Sequence, residues 1–538
     1  MKTKILYTMI ALSFLWVNSN AHGVEVSNVS VTGNDITFDI SFKNSWTSYA
    51  NTGVGSNPNY PCNRSGIWVF LKVQSNVTNE WTHQKVSTTA ANHNVVTPNP
   101  VIGIFPSNDG VGVMLHHSSS ASSFSTFSTR LKLQMDAVPI GQLNFKVFGI
   151  EMVESNLGGF YVGDGYFTER TLDTVSVTSS IIPADAFVHS SSPVGSSHPA
   201  INSSYPTGYS KTNCMRYECT NEQYVEFLNT LTYDQQRALT DASPDAAANT
   251  NAFNFETSLN NTLIKIKTPG INNLQPAVYA CDYNGNNIYY ENGDGQNQAF
   301  ENATVKRVLS YLDWSGLRLM SELEYEKFCR GSSGNGLGGF LPRPRVEREY
   351  AWGNDSIIGI NIADASNVGM DNERYVGPSG MGRAVCRANP ISSQNFSSPM
   401  RVGQFAGAST GREASGASYW GIMDMTGNVS ELCYDVFYST QVLSRSDYGD
   451  GIISNNSADM GEHNVNGWPS STNSAAYVLR GGSCTESITS VGGFAGTSRL
   501  MVSHRNKNSN TFQYLIEPRS TNNYPYYVLG IRGVRATD

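Results

Sequence analysis

Gly316-Leu-Arg-Leu-Met-Ser-Glu-Leu-Glu-Tyr-Glu-Lys-Phe-Cys-Arg-Gly331 is the stretch from which the fold can be read. Ser321 and Glu324 have the spacing of a capping box, in which hydroxyl and carboxylate each satisfy a backbone N–H left open by the first helical turn. Tyr325, Phe328 and Cys329 then fall on one side, so the segment predicts a short helix with an inward apolar face. Thr220-Asn-Glu-Gln-Tyr-Val-Glu-Phe-Leu-Asn-Thr-Leu231 follows the same plan, with Thr220 and Gln223 capping and Tyr224, Phe227, Leu228 and Leu231 facing inward. Around these helices the chain is glycine-rich and weakly periodic, with strand-like pieces at Tyr477-Val-Leu479 and Tyr526-Tyr-Val-Leu-Gly-Ile531. Two helices in a loop-dominated body is an unusual plan, and it restricts the choice of fold.

Upstream the pattern changes. Val24-Glu-Val-Ser-Asn-Val-Ser-Val31, Ile36-Thr-Phe-Asp-Ile-Ser-Phe42, Ile67-Trp-Val-Phe-Leu-Lys-Val73 and Leu131-Lys-Leu-Gln-Met135 are β-branched, largely alternating runs separated by Gly, Asn, Pro and Ser clusters. Such period-two runs predict strands, and a β-sandwich is the expected architecture. The Ser118 to Ser125 stretch reads as a solvated loop tip.

The first residues carry Lys2 and Lys4, a mostly apolar stretch from Ile5 to Val17, and then Ser19-Asn20-Ala21. That order is a positive n-region, an apolar h-region and a small-x-small cleavage site, so cleavage near Ala21 and export are expected. The apolar stretch is shorter than the roughly 18 residues of a membrane span, and no transmembrane segment is expected after cleavage. The expected organisation is therefore a signal peptide over 1–21, a β-sandwich over 22–150 and a loop-rich domain over 151–538, an α+β chain. Only 15% of residues are charged, which suits an extracellular loop-rich surface. The net charge of -8 and the lack of a Lys/Arg run exclude nucleic acid as an expected partner. Eight cysteines in an export context make some disulfides plausible.

Six stations along the second region, taken in order, resemble the formylglycine-generating enzyme (sulfatase-modifying factor) family, whose domain is a variant of the C-type-lectin-like fold. They are Met215-Arg-Tyr-Glu-Cys-Thr-Asn221, the Gly316 to Gly331 stretch, Ala351-Trp-Gly-Asn354, Gly421-Ile-Met-Asp-Met-Thr-Gly-Asn-Val-Ser-Glu431, Leu479-Arg-Gly-Gly-Ser483 and Leu529-Gly-Ile-Arg532. Most of these residues have folding roles that need no catalysis, such as close backbone approach at Gly481-Gly482 and apolar filling by Trp352 and Trp420.

The resemblance implies a calcium position, with ligands carried over to the side chains of Asp424 and Glu431 and the backbone carbonyls of Gly427 and Val429. Hard oxygen donors suit that ion. A second calcium position would use the neighbourhood of Asn361-Ile362. Ser430 and Leu432 stand where the family usually has Trp, which alters local packing.

The aerobic members of the family hold Cu(I) between two cysteines shortly after the Gly-Gly-Ser turn. Aligning on that turn places Glu486 and Val491 at those positions, with Cys484 where the family usually has an aromatic. Soft thiolates are what Cu(I) selects, so copper is not expected. A partner for Cys484 would have to come from upstream, with Cys433 the nearest candidate, and that pair would be a disulfide. The family's structural disulfide is also broken, since Cys329 matches one half and Gly533 the other.

Other motif matches fail their contexts. Gly407-Ala-Ser-Thr-Gly411 lacks the strand and helix of a nucleophile elbow, and Gly334-Asn-Gly-Leu-Gly-Gly339 follows a helix where a dinucleotide loop needs a strand. Asp282-Tyr-Asn-Gly-Asn-Asn287 begins like an EF-hand loop but lacks its Gly and Glu, and His116-His117 would point to opposite faces of a strand.

The leading expectation is a non-enzymatic exported module for binding, adhesion or assembly, directed at an extracellular or cell-surface protein or glycan. The Tyr- and Asn-rich stretch from Asn508 to Tyr527 is its candidate ligand surface. The alternative is an oxidoreductase of the formylglycine-generating type acting on a protein or small thiol.

Overall fold

The structure is a computed structural model that describes residues 19–21, 23–45, 47–48, 63–97, 102–117, 125–138, 141, 143–163, 171–173, 175–187, 199–253, 264–331, 333–334, 340–341, 346–360, 365–375, 380, 382–388, 398–406, 411–438, 443–488, 497–506 and 528–536. Residues 1–18 of the signal segment expected over 1–21, the Asn361-Ile362 neighbourhood and the Asn508 to Tyr527 stretch lie outside the described residues.

The alternating runs form the expected sandwich. Its outer sheet orders the strands Ser19–Ala21, Val24–Thr32, Asp35–Ser45, Ser125–Gln134 and Asn94–Val95, all antiparallel. The facing sheet is larger, running from Ile102–Pro106 through Gly112–His117, Asn63–Ser75 and Leu143–Ser155 to Thr212–Met215, Gly533–Arg535 and Arg318–Leu319. Leu143–Ser155 pairs along its length with Asn63–Ser75 and at its end with Thr212–Met215, so the strand runs through residue 150 and one sheet is shared by both regions.

This sharing explains the nearly unbroken apolar run at Ile67 to Val73. Ile67, Val69 and Leu71 pack into the sandwich core with Ile36, Phe38 and Leu131. Trp68 and Phe70 point the other way, into the core of the second region. A strand covered on both faces has no reason to alternate with polar residues. Lys72 lies on that second face, where Nζ donates to the carbonyls of Trp314 at 2.8 Å and Gly451 at 2.5 Å.

Both expected helices form, over Asn221–Leu228 and Glu322–Arg330, each with its complete capping box. The first packs by aromatic contact: Tyr224 stacks on Phe300 at 3.8 Å, and Phe227 meets Trp314 edge-on at 5.3 Å. Two further helices longer than one turn were not anticipated, Tyr233–Leu239 with its own capping box at Thr232 and Gln235, and Val305–Trp314 capped by Thr304. The second helix also departs from its expected one-sided burial, because all nine of its residues are buried. Of the strand-like stretch from Tyr526 to Ile531, Tyr526 and Tyr527 lie outside the described residues; the rest is not a strand, with Leu529 making isolated bridges to Asn302 and Ser430, and the strand forms at Gly533–Arg535. Among the described residues no helix is long and apolar enough to cross a membrane.

Candidate functional site

The stations meet because two short strands clamp them together. Glu431–Tyr434 pairs antiparallel with Tyr477–Arg480, with Glu431 opposite Arg480, so the Asp424 loop and the Gly481-Gly482-Ser483 turn emerge side by side. Gly427 N–H donates to the Gly481 carbonyl at 2.9 Å, and Cys484 N–H donates to the Asn428 carbonyl at 2.8 Å. Asp424, Gly427 and Asn428 all have positive φ, and Asp, Asn and Gly are the residues that tolerate this conformation. A side chain at Gly427 would meet the Val385 carbonyl at 2.7 Å.

One buried guanidinium draws the first, fourth and last stations together. Arg532 donates from Nε to Glu431 Oε1 at 3.2 Å, from Nη1 to the carbonyls of Met215 and Arg216, and from Nη2 to that of Met423 at 2.9 Å. Glu218, from the first station, accepts Val429 N–H at 3.1 Å on Oε1 and Asn428 Nδ2 at 2.5 Å on Oε2. Asp424 Oδ2 accepts Gly403 N–H at 2.6 Å. Burial pushes all three carboxyls up, Glu431 to about 8, against the opposing pull of Arg532. Sequence reasoning named Asp424 and Glu431 and missed Glu218, although it stands inside the quoted Met215 to Asn221 station.

One oxygen of this buried cluster is open to a hard cation. Glu431 Oε2 is buried without a hydrogen-bond partner, and the three buried carboxylates face Arg532 with Arg401 as a further positive neighbour of Asp424. Among the described residues no three carboxylate, imidazole or thiol side chains could hold a metal by themselves, so backbone carbonyls would have to complete any ligand set. The carbonyls of Gly427 and Val429 belong to the same loop.

The turn itself carries a single thiol. Cys484 is buried with Ala299, Val385 and Val429, and burial followed by the Glu301 carboxylate holds the thiol well above its ordinary range. Cys433 packs in another core, with Met320, Trp420 and Val478. The disulfides expected for an exported chain are absent among the described residues, where all seven cysteines are buried and free. For the expected pair of Cys433 and Cys484 the reason is placement, because they serve different apolar clusters. Glu486 receives Arg499 Nη1 at 3.2 Å, and Val491 lies outside the described residues.

Compared with known protein families, residues 209–513 match the sulfatase-modifying factor enzyme 1-like domain. The chain belongs to this family. No curated protein matches it. The sulfatase-modifying factor match takes in the first helix, the Asp424 loop and the Gly-Gly-Ser turn, and it leaves the sandwich strands before residue 209 outside. Arg532, which ties the loop to the first station, also lies beyond the matched residues.

The rejected motifs take ordinary structural places. His116 is buried, with Nδ1 3.2 Å from the Ser65 carbonyl. Asp282 pairs with Lys265 at 2.8 Å and also accepts Asn287 N–H. Residues 407–410 and 335–339, the centres of the other two motifs, lie outside the described residues.

Proposed function

We propose that this chain is an exported binding, adhesion or assembly protein whose sulfatase-modifying factor domain serves as a calcium-stabilised scaffold instead of an oxidase. The observation that carries this reading is the chemistry after the Gly481-Gly482-Ser483 turn. There Cys484 is the only thiol, it is buried and held protonated, and Glu486 at the first matched thiolate position is engaged by Arg499. Cu(I) requires soft ligands, which a carboxylate bound to a guanidinium does not supply. Export is supported by the charged, apolar and small-residue order of residues 1–21. Calcium is supported by the partnerless buried oxygen of Glu431 and by the oxygen-rich loop of Asp424, Gly427, Val429 and Glu431, which would hold the ion and tie the loop to the neighbouring turn.

Incubating copper-loaded protein with a sulfatase-motif peptide and oxygen tests the reading by mass spectrometry. No cysteine-to-formylglycine conversion is expected. Turnover by the wild type that disappears in Cys484→Ser would establish the oxidoreductase alternative.

A further inference from the structure

A cleft of about 1160 Å³ opens between the sandwich and the family domain, away from the Asp424 loop and the Gly481 turn. One wall is the sandwich, through Val29, Val31, Trp81 and Lys146, and the other is built from helix Asn221–Leu228 and the loops carrying Leu274 and Tyr290. Its volume exceeds the roughly 300–1,000 Å³ of ordinary small-molecule sites, and domain boundaries are where such sites concentrate.

Four features mark its centre. Lys146 lies with Nζ 5.0 Å from the centre of the Trp81 ring, and it is within the electrostatic reach of Glu226 and Glu222. Glu222 is 8% exposed, and its Oε2 has no hydrogen-bond partner. Tyr290 is 43% exposed and held at φ +69°, a conformation costly for a bulky residue and concentrated at functional sites. The field of Glu222 and Glu226 also reaches the Tyr290 phenol. Around them Leu274, Val278 and Val31 leave apolar surface exposed.

We propose that this cleft binds a neutral oligosaccharide, an assignment that rests on the reading of the chain as a binding protein. Sugar rings present C–H faces to aromatic and aliphatic surfaces such as Trp81 and Leu274. Their hydroxyls both donate and accept, matching carboxylates and an ammonium group that stand together, and hydrogen bonds to charged groups are the stronger kind. Charge selects against the alternatives. An anionic ligand meets Glu222 and Glu226, and a basic peptide meets Lys146 beside Trp81 and Lys267, whose ammonium lies 4.2 Å from the centre of the Tyr290 ring. The size of the cleft calls for a chain of sugars instead of one ring.

Full-length mature protein applied to arrayed cello-, malto- and chito-oligosaccharides tests the assignment. Binding to at least one series is expected, weakened about tenfold by Trp81→Ala and by Leu274→Asp, a loss of 1.4 kcal/mol. Leu274 is 83% exposed, so its substitution leaves the melting temperature unchanged and separates lost binding from lost folding. Silence across all three series, binding indifferent to both substitutions, or preferential capture of basic peptides would each overturn it. If the sugars fail while the protein still adheres to cells or other proteins, the cleft assignment falls and the binding reading stands.

Discussion

Arg480 Nη2 donates to Glu326 at 2.7 Å with both side chains fully buried, joining the Gly-Gly-Ser station to the helix Glu322–Arg330. Arg480 Nη1 continues to the carbonyls of Val502 at 3.0 Å and His504 at 3.1 Å. Beside it Arg505 binds Glu322 at 2.6 Å and Asp435 at 2.8 Å. Glu322, Glu324, Glu326 and Arg330, which a helical-wheel reading places in water, are thus buried in ion pairs, and Lys327 donates to the carbonyls of Tyr209 and Ser210.

Breaking a buried pair by removing one partner leaves an uncompensated charge, so Arg480→Met should lower stability by roughly 3–5 kcal/mol. Lys132→Met, which removes a pair to Asp35 whose side chains are 32% and 36% exposed, should cost less than about 1 kcal/mol. Denaturant midpoints of the two variants measure the contrast, and equal losses would refute the network's role.

Gly481 has φ +80°, and a methyl there would press on Glu431 Oε2 and come within 3.1 Å of the Met425 carbonyl. Gly481→Ala should destabilise by roughly 1–3 kcal/mol through backbone strain and this contact. A melting temperature equal to that of the wild type would mean that the turn adjusts freely.

Asp313 stands where the family domain meets the shared sheet, accepting the N–H groups of Asp450 and Asn464 at 3.0 Å each. Burial pushes its carboxyl from the ordinary 3.8 up to about 7. The folded state therefore binds this proton more tightly than the unfolded state, giving stability that is complete below 3.8 and lost as pH rises to about 7. Lys72, lowered by burial to about 7, acts in the other window, where stability grows as pH rises from there toward 10.5. Melting curves of Asp313→Asn across the acidic window should show a shallower decline than the wild type. An unchanged slope would assign the effect to other groups.

Chelation should lower the unfolding temperature of the wild type, because a calcium ion that binds only the folded chain stabilises it by mass action. In Asp424→Ala the same treatment should change nothing. A wild type indifferent to chelator, or a variant that keeps its full calcium content, would remove the ion from the Asp424 loop.

Much of the local structure was legible in the chain. Thr220 with Gln223 and Ser321 with Glu324 announce their helices through contacts three residues apart. The alternating sandwich strands are equally readable, because period two follows from the strand itself. Thr232 with Gln235 carries the same signal for Tyr233–Leu239. Less legible was Glu218, since nothing in its neighbours says that it will accept N–H groups from Val429 and Asn428 far along the chain.

The sequence by itself determined the family of the second region, its two capped helices, the sandwich strands, and that a single cysteine, Cys484, follows the Gly-Gly-Ser turn, because each is a matter of residue identity or short-range spacing. Only the tertiary structure decided that Leu143–Ser155 joins both regions in one sheet, that Cys433 and Cys484 belong to separate cores, and that Lys146, Trp81, Glu222 and Tyr290 share a cleft. Those relations depend on which distant segments are brought together when apolar surface is withdrawn from water. Local periodicity does not encode that choice, because a strand or helix presents the same pattern whichever partner covers it.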